Sequence, residues 1–190
     1  QLGATHSFNG VEGNCVERIA DTAWEPGSGS TIMGYAGICP AFFNNPPSGD
    51  NLQNDADAYF HAGNIDQMVS HLETLDGLGV GTITSNVNQI PTVSAGANFT
   101  IPAGTSFSLT ATGMDADGDT LLYNFEQMDL GPAQTVNPAA SAAARADNGS
   151  SPLFRSFEPA AANESGSFTR IFPQLSDVLS GTPTKGEQLP

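Results

Sequence analysis

Three histidines, two cysteines and a run of alternating aspartates are the residues of this 190-residue chain with chemistry to offer. His6 stands three residues after Gly3 in Gly3-Ala4-Thr5-His6. An imidazole can ligate a metal or move a proton near neutral pH. A glycine shortly before it lets the backbone turn sharply, so that the side chain arrives from a direction of its own. His61 and His71 are ten residues apart, which does not put them on adjacent turns of one helix face, and they read as surface or packed residues. Trp24 reads as core or loop packing. In "DADGD" the carboxylates of Asp115, Asp117 and Asp119 alternate, which opens a calcium reading. The EF-hand pattern is not met, because Thr120 occupies the sixth position where glycine is needed, although Glu126 falls at the twelfth. Asp117-Gly118 also suits a tight hairpin turn with neighbouring aspartates accepting from local amides, and both readings stand. Cys15 and Cys39 lie in loop-like surroundings, "EGNCVER" and "AGICPAF". They read as a disulfide in preference to two buried free thiols, and they lack the spacing of a cysteine-based zinc site.

The charge balance narrows the classes. Five Lys and Arg against 20 Asp and Glu leave a formal net charge of -15. A polyanion such as DNA, RNA or an anionic membrane face is repelled by such a chain. No apolar stretch is long enough for a membrane span, and no basic-then-apolar leader is present. Lysine is scarce, while Gly (21) and Pro (13) are plentiful. That mixture, with the cysteine pair, suits an extracellular protein rich in turns and strands.

These residues need elements to hold them. The first 50 residues carry many Gly, Pro and Asn and little periodicity, which implies irregular backbone fixed by specific contacts. Ile65, Met68, Val69, Leu72 and Leu75 then recur at helical spacing and predict a helix over 64–76, with Asn64 and Gln67 placed as an N-cap and its partner and the glycines of "DGLGVG" as its end. Residues 77–91 read as a linker. After Pro91, alternating runs broken by Pro-Ala-Gly and Asp-Gly turns predict short strands, with "PLFRSFEP" and "SFTRIFPQL" among them. The texture resembles an immunoglobulin-like sandwich carrying one long mobile insert, "GPAQTVNPAASAAARADNGSS". "DADGDTLLY" is similar to the strand-turn of cadherin-like and polycystic-kidney-disease-type bacterial modules, some of which bind calcium.

Two motifs together carry a more specific resemblance. Gly3-x-x-His6 resembles the second half of the metzincin motif H-E-x-x-H-x-x-G-x-x-H, and "SGSTIMGYAGIC", with Met33, resembles the Met-turn found downstream of it. Together "GATHSFNG…GNC…WEPGSGSTIMGYAGIC" is similar to the reprolysin (adamalysin) branch, in particular its secreted bacterial relatives, over about residues 1–75. The resemblance implies that His6 is the third of three zinc-ligating histidines and that Met33 forms the base of the site. It implies that Gly34, Ala36, Gly37 and Ile38 belong to the wall of a substrate pocket, and that the helix after Asn64 is the last of the catalytic domain. Met33-Gly34-Tyr35 departs from the branch and resembles the M-x-Y of astacins and serralysins, which makes Tyr35 a candidate oxyanion stabiliser beside the plainer reading of a tyrosine packed under the turn. The implied fold is mixed: the C-terminal part of an α/β metzincin domain, irregular loops plus one helix, over 1–76, then the linker, then an incomplete all-β immunoglobulin-like or cadherin-like sandwich over 92–190.

The implied function is that of a secreted, bacterial zinc metalloendopeptidase acting on protein or peptide substrates, with Zn2+ as cofactor and Ca2+ as a candidate in the β-domain. His-Glu-x-x-His is expected immediately before Gln1, so that these 190 residues alone are expected to be inactive and to bind zinc poorly. The rival is a non-catalytic adhesion or carbohydrate-binding β-module on a degenerate peptidase scaffold. The sequons at Asn98, Asn148 and Asn163 would go unused in a bacterium.

Overall fold

The computed structural model describes residues 2–39, 49–78, 81, 84 and 87–190. The predicted linker is therefore described only in part, and residues 79, 80, 82, 83, 85 and 86 lie outside the described residues. The architecture is mixed, with few helices and a small antiparallel sheet. No described helix is long and apolar enough to cross a membrane.

Residues 2–39 form two short 3-10 turns, Gly13–Glu17 and Ala20–Thr22, and otherwise irregular backbone. Irregular chain must satisfy its buried polar groups individually, and here two carboxylates do much of this. Glu25, 1% exposed, accepts at one oxygen from the Ser30 and Thr31 N–H groups (3.0 and 3.1 Å) and at the other from the Ser7 and Thr31 hydroxyls (2.6 and 2.7 Å). Gly29, at φ +66°, closes that turn where a Cβ would lie 2.7 Å from the Glu25 carboxylate. Around these contacts the whole run Thr22–Thr31 is buried. Cys15 and Cys39 form the expected disulfide and pack with Phe8 and Tyr35 in a small core.

Helix α1 spans Ala62–Gly77, in agreement with the periodicity. Its inward face is not the predicted one. Ile65, Val69 and Leu72 are 48, 48 and 47% exposed, while Asn64 is fully buried and Gln67, Met68 and His71 are half-buried. The predicted capping pair is also corrected. His61 Nδ1 accepts from the Gly63 N–H (3.2 Å) and Glu126 accepts from the Ala62 N–H (2.6 Å), so the helix start is satisfied by those two side chains. Asn64 and Gln67 reach elsewhere.

Beyond the linker, β1 (Thr92–Ser94), β2 (Phe107–Met114) and β5 (Ser167–Phe172) form an antiparallel sheet in the order β1-β2-β5, with Phe107 opposite Phe172. β3 (Leu122–Tyr123) pairs with β4 (Ala160–Ala161). Helix α2 spans Ala142–Arg145 and α3 Leu175–Ser180. On one face of the sheet Phe107 and Leu109 pack with Phe125, Leu153, Phe154 and Phe172 as a second core. The Phe107 and Phe172 rings stack at 4.9 Å, a contact that adds to their area burial.

The insert expected to be mobile is pinned in its first half. Thr135 and Val136 are buried, and both donate to Asp50 Oδ1 (2.6 and 2.8 Å), while Asp50 Oδ2 accepts from the Val11 and Glu12 N–H groups (2.7 and 3.2 Å). Asp50 thus ties the N-terminal segment to residues 135–136. Ser30 Oγ donates to Ser156 O (3.0 Å), Asn9 Nδ2 to Pro132 O (3.1 Å), and Arg155 contacts Gln53. The two stretches separated in the sequence as domains each have their own apolar cluster, and polar contacts join them.

Candidate functional site

His6 sits on a segment gripped from both sides. Thr5 donates its N–H to Gln67 Oε1 (3.2 Å), receives Gln67 Nε2 on its hydroxyl (2.9 Å) and receives Asn64 Nδ2 on its carbonyl (2.9 Å). The Thr22 hydroxyl donates to His6 O (2.7 Å). The polar pair at the start of α1 is therefore a clamp on the residue before His6.

Gly3 explains the first half of the Gly-x-x-His spacing. It adopts φ +86°, and a Cβ there would lie 2.6 Å from His71 Cβ and Cγ. Only glycine lets the chain cross α1 this closely in that conformation. His71 is thus a packing residue. His61 is buried and stacks on Trp24 with ring centroids 5.6 Å apart and planes 3° apart, so both readings of packed side chains agree with the structure.

The Met33 turn approaches from the other side. The Ser7 N–H donates to Met33 O (3.2 Å), which lays the residue after His6 against the turn. His6 and Met33 consequently line one cavity of about 440 Å3 with Ile19, Phe60 and Met68. Tyr35 joins them by ring contacts: it stacks on Phe8 at 4.2 Å and meets the His6 ring edge-on at 4.5 Å. Gly34, Ala36, Gly37 and Ile38 continue the turn but do not line this cavity. Gly37 donates its N–H to Asn51 Oδ1 (2.8 Å), and Ile38 O accepts from Asn14 Nδ2 (3.1 Å).

Among the described residues no group of three or more His, Cys, Asp or Glu side chains is arranged to hold a metal ion. The described residues bring one imidazole, His6, to the cavity, a single donor where a zinc site needs three or four. In "DADGD" the Asp115 carboxylate accepts from the Asp117 and Asp119 N–H groups (2.8 and 3.2 Å), and Asp117 accepts from the Gln89 N–H (2.5 Å). That is the geometry of the turn reading. It does not join β2 to β3 as a hairpin, because β2 pairs with β1 and β5 and β3 with β4. Glu126, the carboxylate at the twelfth position, is engaged at the start of α1 instead. Burial raises its pKa above the usual carboxylate range, against the opposing effects of His61 and the Ala62 N–H.

Compared with known proteins, the chain matches no family model, no curated protein and no solved structure.

Sequence reasoning did not find Asn64, Gln67, Thr5, Thr22 and Glu25 as the frame around His6. Only Glu25 left a signal: it is the one charged residue between Asp21 and Asp50, and an isolated charge in a small-residue stretch is a candidate for burial with dedicated partners.

Proposed function

We propose that this chain is part of a secreted zinc metalloendopeptidase of the metzincin kind, with His6 as one of three zinc ligands and Met33 beneath the site. The observation that carries the reading is the Ser7 N–H to Met33 O bond (3.2 Å), through which two motifs far apart in sequence bring His6 and Met33 to one cavity. A chance Gly-x-x-His and a chance methionine would have no reason to meet. The remaining two imidazoles and the general base would come from a His-Glu-x-x-His segment preceding Gln1. When bound, zinc supplies a Lewis acid and a water acidic enough to attack a peptide carbonyl.

The chain's own contribution is orientation. The clamp on Thr5 and the Thr22 bond to His6 O hold the backbone on either side of the imidazole, and Tyr35 meets the ring edge-on. Gly34, Ala36 and Ile38, half-buried on the turn outside the His6 cavity, would meet the substrate chain beyond it, whereas Gly37 is buried with its N–H on Asn51 Oδ1. Tyr35 is proposed to remain a packing residue beneath it, since its ring stacks on Phe8.

The test is made on the parent protein with the residues before Gln1 included. If His-Glu-x-x-His ends directly against Gln1, the purified parent is expected to hold one zinc per chain, and His6→Ala to lose both metal and cleavage of a protein substrate. Absence of that segment, or full zinc and activity in His6→Ala, overturns the reading. Turnover of Tyr35→Phe is expected to be unchanged, and a large loss would restore Tyr35 as oxyanion stabiliser.

A further inference from the structure

The β-rich half encloses a second cleft of about 600 Å3, lined by none of the residues of the His6 cavity. Its floor is apolar: Phe107, Leu109, Leu153 and Phe154 line it, and the last two are only 5 and 8% exposed. One wall is the loop after β1, where Phe99 stands 55% exposed. Among the described residues, the backbone of Ala97 to Ile101 makes no hydrogen bond to the rest of the chain. This wall therefore offers open N–H and C=O groups beside an apolar floor.

The remaining lining is acidic. Asp129 and Asp147 both line the cleft, and among the described residues no lysine or arginine does. Gln127 fixes Asp129: its Oε1 accepts from the Leu153 and Phe154 N–H groups (2.7 and 3.0 Å) while its Nε2 donates to Asp129 Oδ2 (2.6 Å). Asp147 is oriented by the Gly149 N–H (2.7 Å). Among the described residues, neither carboxylate forms an ion pair with a basic side chain, in a chain that already carries a net charge of -15.

We propose that this cleft docks a polypeptide segment in which a bulky apolar side chain neighbours a lysine or arginine. The apolar side chain covers the Phe and Leu floor, the open backbone of residues 97–101 bonds to the segment's main chain, and the cation meets Asp129 and Asp147. The volume falls in the range of about 300–1,000 Å3 in which recognition pockets form. A peptide suits the site better than a sugar, because unpaired main-chain donors and acceptors stand on one wall and, among the described residues, the lining has no Trp or Tyr platform. The proposal does not depend on zinc chemistry at His6.

The experiment is fluorescence anisotropy of the intact 190-residue chain with labelled peptides containing Leu-Arg, Leu-Asp or Ser-Arg at their centre, beside a panel of labelled oligosaccharides. The Leu-Arg peptide is expected to bind best, with an affinity that falls as salt rises. Asp129→Asn combined with Asp147→Asn keeps one acceptor oxygen on each side chain for its local bond, and is expected to weaken it roughly tenfold. Phe99→Ala, at an exposed position, should weaken it without altering the melting curve. Binding of none of the peptides, equal binding of Leu-Asp, an oligosaccharide as the only ligand, or closure of the cleft by a second copy seen as a dimer in light scattering would each overturn the proposal.

Discussion

Gly3 has neither room for a side chain nor a backbone conformation that welcomes one. Its Cβ would press on His71 at 2.6 Å, and φ is +86°. Gly3→Ala is therefore expected to destabilise the chain by about 1–3 kcal/mol, read as a lower urea midpoint with an unchanged slope. Glu25 makes a parallel case for a charge. Its two oxygens accept from two backbone N–H groups and two hydroxyls while buried, and Glu25→Gln turns an amide N–H2 toward donors. A loss of about 2–4 kcal/mol is expected, and an unchanged melting temperature would refute the role assigned to it. At this scale the sequence was legible where a residue belonged to a spaced pattern. Gly3 and His6 share such a spacing, while Met33 stood out through the motif it resembles and the cysteine pair through its loop-like surroundings. Thr5 and Thr22 left no such signal, because their partners are distant in sequence and no period links them, and Glu25 stood out only as an isolated charge.

Helix α1 illustrates how an element can be recognised and its facing misjudged. Its extent was readable from the recurrence of Ile65, Met68, Val69, Leu72 and Leu75, since any 3.6-residue period reveals a helix. The facing was not, because the inward stripe runs through Asn64, Gln67, Met68 and His71 and is half polar. Hydrophobic periodicity assumes that burial is apolar, and here α1 docks by hydrogen bonds to Thr5. Gln67→Ala removes an acceptor and a donor from that clamp. It is expected to cost about 1 kcal/mol and, more tellingly, to speed hydrogen exchange at the Thr5 amide while leaving amides in the β2–β5 ladder protected. Uniform acceleration across the chain would indicate plain destabilisation and no specific clamp. The strands after Pro91 fared similarly. β2 and β5 fell where the alternation placed them, but "PLFRSFEP" contributes only an isolated bridge, Phe154 with Glu187, because residues 152–156 are buried in succession and show no alternating face.

Taken whole, the molecule joins its halves through polar groups that neither half satisfies alone. Asp50, Ser30 and the start of α1 all find partners beyond residue 120. Residues 1–91 expressed alone are thus expected to lose cooperative unfolding, which circular dichroism during a thermal scan would reveal. The buried pair Arg170–Glu187, at 2.7 Å, poses the most specific test of the β-rich half. Arg170 also donates to the Phe125 and Arg155 carbonyls and lies over the Phe172 ring, and Glu187 accepts from the Gln174 N–H. Burial nevertheless dominates at Glu187 and lifts its pKa from 4.5 to about 7, with Arg170 pulling the other way. A folded-state pKa above the unfolded one means that the folded chain holds the proton longer. The stability linked to this group is then fully present below about pH 4.5 and is lost as pH rises through about 7. Glu187→Gln cannot ionise and should lack that dependence. The unfolding free energy of the wild type relative to Glu187→Gln is expected to fall between about pH 4 and about pH 8, measured by urea titration of both proteins in matched buffers. A difference that stays flat over that range would mean that Arg170 keeps Glu187 ionised throughout and that the ion pair, not burial, sets its protonation.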